Sequence, residues 1–136
     1  MTAEEYLKQI KMIDAIIINK KKEYRRWKDI ADGYGGGFSV SERVQTTRNL
    51  QRGSDAIIEY ISIEQEISSL EKKRKGIIAT IESLPCDEYM VIYAVFVDGY
   101  MVKELPSLIH KSLSSVKRTK AKALEHVQMM IDKKEG

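Results

Sequence analysis

The segment AEEYLKQIKMIDAIIINKKKEYRRWKDIA, residues 3–31, contains no Gly or Pro. Its apolar residues Tyr6, Ile10, Ile13, Ile17, Tyr24 and Trp27 recur at steps of three and four, interrupted only at Lys20. That spacing draws one apolar stripe along a helix of about 30 residues, roughly 45 Å at about 1.5 Å per residue. A second run starts after Gly53, where Ser54 or Asp55 can cap, and carries Tyr60, Ile63, Ile67, Leu70, Ile77, Ile81 and Leu84 at the same steps, with Arg74 as its polar interruption. Both stripes have coiled-coil spacing, and they specify packing without pointing to a ligand.

The charges predict how the two helices pair. The first helix closes on Lys20, Lys21, Lys22, Arg25, Arg26 and Lys28, and the second opens on Asp55, Glu59, Glu64 and Glu66. At the other ends, Glu4 and Glu5 face Lys72, Lys73, Arg74 and Lys75. Unlike ends meet if the helices fold back as an antiparallel hairpin, whereas parallel self-pairing aligns like charges. Exposed ion pairs select orientation better than they supply stability. Between the helices, residues 33–53 begin GYGGG and read as a flexible loop with a possible short helix over 41–50; about 20 residues is long for such a connection. The glycines lack the Gly-Lys-Ser/Thr ending and preceding strand of a phosphate-binding loop.

Length and composition narrow the function classes. The chain has 136 residues, 43% of them hydrophobic and 32% charged, with 23 Lys+Arg against 20 Asp+Glu and a net charge of +3. One ordinary domain or two very small ones fit that length, and large multi-domain enzymes do not. The longest aliphatic run, Ala15–Ile18, is far short of the roughly 20 residues of a membrane span, and residues 1–10 lack an apolar signal core. The expectation is a cytoplasmic protein with no membrane partner. Cys86 is the sole cysteine, and His110 and His126 have no zinc-ligand spacing, so no metal and no cofactor is expected.

After Leu84-Pro85 the pattern breaks into three shorter helices, setting a domain boundary between 83 and 84. Asp87 and Glu88 put negative charge in the first turn of a helix whose apolar residues, Met90, Val91, Tyr93, Ala94 and Val97, stop at Asp98-Gly99. A short helix is expected from Val102 to Ile109, then a turn at His110-Lys111. Ser112 caps a last helix from Leu113 to near Lys133, with Val116, Ala123, Leu124, Val127 and Ile131 available for its buried side. Helix, tight turn and capped helix is helix-turn-helix spacing. Residues 111–122 hold Lys111, Lys117, Arg118, Lys120 and Lys122 and no acid, more positive charge than the net surplus of the whole chain. Ser114, Lys117, Arg118 and Lys122 fall opposite the Val116, Ala123 and Leu124 side, where Lys and Arg can reach phosphates or base edges.

The stretch LPCDEYMVIYAVFVDGYMVKELPSLIHKSLSSVKRTKAKAL, Leu84–Leu124, resembles the region-4 helix-turn-helix of bacterial sigma factors. The shared marks are a Leu-Pro opening, an apolar helix ending in Asp-Gly, a Glu-Leu pair, a capped helix with Ser-Val-Lys-Arg, and Ala-Leu. The layout of the whole chain is similar to small phage-encoded transcriptional regulators of the late-operon activator type. The resemblance implies an all-α fold, a long helical hairpin (1–83) followed by a three-helix DNA-binding module (84–136), working in a bacterial host cell. It implies that Ser112 is the cap and that Leu113, Ser114, Lys117 and Arg118 face the groove; Lys111, Ser115 and Lys122 complete the expected DNA-binding set. Pro106 stands where the module normally has a small residue, so the second helix is expected to begin late, with Pro106 in its first turn. His110 takes the turn position usually held by Gly.

Other chemistry is weaker. Asp87 and Glu88 point about 100° apart on a helix and have a first-turn role, Cys86 has no partner base, and no nucleophile and base stand together. The expectation is a non-enzymatic regulator that binds double-stranded DNA, with the hairpin serving homo-oligomerisation, a dimer favoured, or contact with RNA polymerase. Two alternatives stand beside it: a DNA-packaging oligomer similar to phage small-terminase subunits, and a module that binds polymerase or a sigma factor without DNA.

Overall fold

The computed structural model describes residues 1–35 and 46–135. These are all-α: 90% helical, with no strand among the described residues. The order is α1 (Ala3–Gly35), α2 (Thr46–Glu82), α3 (Cys86–Ile92) running on into a π-helical turn (Tyr93–Val97), a 3-10 turn (Val102–Glu104), α4 (Leu105–Ile109) and α5 (Leu113–Glu135). α1 starts at a reciprocal cap: Glu5 N–H donates to Thr2 Oγ1 at 3.2 Å, and Thr2 N–H donates to Glu5 Oε2 at 3.3 Å. Two otherwise orphaned first-turn donors are satisfied this way.

Both long helices extend further than their glycines suggest. α1 continues through Gly33 to Gly35, and α2 begins at Thr46, so Ser54 and Asp55 lie inside it, away from its start. Gly53 is helical and buried. Its intrinsic cost of roughly 1 kcal/mol in a helix is overridden by packing. The loop expected over 33–53 is therefore helical at both ends, and its remainder, 36–45, lies outside the described residues.

The chain divides into two compact units, which do not follow the expected 1–83 and 84–136 division. One joins residues 1–14 to 72–136, and the other is 15–71. In the first, the start of α1 is fastened to elements distant in sequence. Ala3 N–H donates to Gln128 Oε1 at 2.8 Å, and the Tyr6 phenol lies 3.1 Å from the Thr80 hydroxyl, which donates to the Gly76 carbonyl. Arg74 Nε donates to Asp14 Oδ1 at 2.7 Å. Leu7, Ile10, Ile81, Ile92, Val127 and their neighbours are buried, and Val91, Leu105 and Val116 form a cluster to which Ala94, Val95, Val102 and Ile109 add. In this core Ile92 and Phe96 stand inside, while Met90, expected on the buried side, is 47% exposed. Glu88, Ile92 and Phe96, each four residues apart, share the inner face, and Met90, about 200° round the helix from Glu88, falls opposite it.

In the unit 15–71, Ile17, Ala31, Ala56 and Ile63 are buried, and Tyr24 and Tyr60 meet edge-on with centroids 5.6 Å apart. Lys20 Nζ pairs with Glu66 Oε2 at 2.5 Å. Within this unit α1 and α2 thus meet in opposite directions, position 20 against 66 and position 24 against 60.

Candidate nucleic-acid interface

α4 is a single short turn with Pro106 as its second residue, where the missing N–H leaves no hydrogen bond unmade. It stops at His110, whose φ of 56° and ψ of 42° are left-handed. Reversing the chain there lets Ser112 start α5: its hydroxyl accepts from Ser115 N–H at 3.2 Å, and its carbonyl accepts from Val116 N–H at 2.9 Å. The cap expected at Ser112 is in place. Val116, Ala123, Val127 and Ile131 form the inner side of α5, with Leu124 half-buried.

Each residue of the expected DNA-binding set can now be located. Lys111, Ser112, Leu113, Ser114, Lys117, Arg118 and Lys122 are exposed, and Ser115 is half-buried with its carbonyl accepting from the Thr119 hydroxyl. Their charges are not equally available. Lys111 Nζ lies 3.9 Å from Asp87 Oδ2. Lys120 turns inward, its Nζ 5.9 Å from the centre of the Phe96 ring. Lys117, Arg118 and Lys122 have no carboxylate partner among the described residues. Glu125, one turn beyond, closes this positive face.

One edge of the face is a cleft of about 450 Å³. Lys111, Ser115, Arg118 and Lys122 line it from the α5 side, and Asp87 and Glu88 from α3, with His126 below. Leu113, Ser114 and Lys117 stand outside it. Glu88 is only 5% exposed, and its Oε1 lies 2.5 Å from His126 Nδ1. Glu88 thus does more than charge a first turn: it holds the half-exposed His126 of α5. The pair ties α3 to α5 beneath the cationic residues. Nothing in the local sequence announces it, because the partners are 38 residues apart.

A second groove, of about 650 Å³, lies between α3 and α4 and is lined by Cys86, Met90, Leu108, Ile109, His110 and Lys111. Leu108 is 49% and nearby Leu113 40% exposed. Among the described residues no three His, Cys, Asp or Glu side chains gather as a metal site, and no helix is long and apolar enough to cross a membrane. No family model, curated protein or solved structure matches the chain.

Proposed function

We propose that this protein is a DNA-binding transcriptional regulator, in which α5 enters the major groove of double-stranded DNA. The observation that supports the reading best is the Ser112-capped start of α5, presented by a left-handed turn, with Lys117, Arg118 and Lys122 exposed and unneutralised on the side away from its buried stripe. Exposed cations supply the phosphate term of affinity, and Ser114 and Leu113 stand where a hydroxyl can donate to phosphate and an apolar chain can meet a thymine methyl. The chemistry of this face is binding.

If four or five phosphates are neutralised, log K falls against log salt with a slope near −4. Replacing Lys117 and Arg118 by Ala is expected to reduce that slope by about 2 and to weaken cognate binding while leaving helicity intact. Titration of labelled duplex by fluorescence anisotropy reads both quantities. Unchanged affinity in the double variant sinks the assignment.

The groove between α3 and α4 supports a second reading, in which the module docks on RNA polymerase or a sigma factor without DNA. Met90 and Leu108 in the groove, with Leu113 nearby, are the exposed apolar side chains that a protein partner buries. Absence of any duplex shift at low salt selects this reading over the first.

A further inference from the structure

The cations at the end of α1 were expected to be consumed in pairing with the acids at the start of α2. Only Lys20 is, through Glu66. Lys21, Lys22, Arg25, Arg26 and Lys28 are exposed, and none is paired with a carboxylate among the described residues. At about 100° per residue, Lys21, Arg25 and Lys28 form one row along α1, and Lys22 and Arg26 form the row beside it. The two rows extend over roughly 10 Å of helix. Glu23, the one acid between residues 20 and 28, falls on the far side from the first row; Asp29 and Asp32 follow on the next turn. Two of the cations are held by rings of the same helix: Arg26 lies 6.0 Å from the Trp27 ring centre, and Lys28 Nζ lies 5.9 Å from that of Tyr24.

From this arrangement we propose a second polyanion-binding surface, on α1 between Lys21 and Lys28, that engages the phosphate backbone of duplex DNA without reading sequence. A duplex carries one phosphate charge per about 1.7 Å of axis, so two rows of cations on one side of a helix meet several phosphates at once. A protein partner fits the surface less well. Hot spots at protein interfaces are buried aromatic or apolar anchors ringed by polar groups; here Tyr24 and Trp27 are half-buried beside Lys28 and Arg26, and among the described residues of α1 Ile18, one turn earlier, is the one exposed large apolar chain in line with the cations. The inference does not depend on α5 being the reading helix.

The test uses the full chain and a duplex of about 30 base pairs with random sequence. Lys21→Gln, Arg25→Gln and Lys28→Gln are introduced together, in the wild-type background and beside Lys117→Ala/Arg118→Ala. All three sites are exposed, and circular dichroism verifies that helicity is kept. The expected result is a salt slope smaller by 2 to 3 units and affinity at low salt at least tenfold weaker in both backgrounds. Unchanged slope and affinity in both overturn the proposal. So does polyglutamate, at equal charge concentration, binding as tightly as the duplex, since that selects an acidic protein partner. If the α1 variant weakens binding and the α5 variant does not, this surface stands and the reading role of α5 falls; the opposite pattern keeps α5 and removes this surface.

Discussion

Among the described residues His110 is the one non-glycine side chain at positive φ, and Gly99, with φ of 86°, ends the preceding helix in the same region of backbone space. Left-handed conformation costs an L-residue roughly 1–2 kcal/mol, and His tolerates it better than most. His110→Gly is therefore expected to stabilise the fold by about 0.5 kcal/mol after the entropy of the added glycine in the unfolded chain is offset. Gly99→Ala is expected to cost about 1–2 kcal/mol, and its new methyl meets Lys11 Nζ at 2.9 Å. Thermal unfolding monitored by circular dichroism checks both signs, and a His110→Gly variant that melts lower removes the turn argument. Gly99 was legible in the sequence, since Asp-Gly after an apolar run marks a helix end. The Thr2 and Glu5 cap is equally written there, as Thr-x-x-Glu ahead of an apolar stripe. Glu88 was not legible: only the crossing of α5 buries it and supplies His126.

At the scale of elements, α5 is held by its cap and by its tie to α3. Ser112→Ala is expected to cost about 1 kcal/mol. His126→Ala leaves a buried carboxylate without its partner and is expected to cost about 1–3 kcal/mol or more, whereas Glu88→Gln keeps a group that can hydrogen-bond and costs less. Urea unfolding orders the three variants, and equal stability of His126→Ala and wild type overturns the role given to the pair. Apolar spacing of three and four made α1, α2 and α5 readable, and the length of α4 followed from Pro106. The ends of α1 and α2 run past Gly33 and Gly53, which read as stops in the sequence; at Gly53 burial outweighs local propensity, whereas Gly33 is exposed. Phe96 stands inside with Glu88 and Ile92, each four residues apart, and Met90 outside, because one member of that inner row is a carboxylate and the apolar residues alone do not mark the face. At the candidate interface, capping and charge were visible in the sequence. Which lysines stay available was not, because Lys111 and Lys120 find their partners on α3 and on the π-helical turn.

Over the whole molecule the positive surplus is unevenly shared. Residues 15–71 contain as many acids as bases, so the entire +3 belongs to the unit that holds α5. The balanced unit hides its cations in plain sight, with Lys21–Lys28 on one helix and the compensating acids largely on the other. For the assembly, a regulator is expected to run as a monomer or dimer in light scattering, and a ring mass instead favours the packaging alternative. One feature of the α5 unit also bears on synthesis. Its first fourteen residues pack against a segment made after residue 72, and the bond from Ala3 to Gln128 spans 125 positions. Contacts that distant carry a large loop-closure cost and slow folding. On the ribosome the opening turns of α1 must wait, their apolar side chains unsatisfied, until Gln128 emerges. A chain cut short before α5 leaves Leu7 and Ile10 exposed for chaperones or proteases to find.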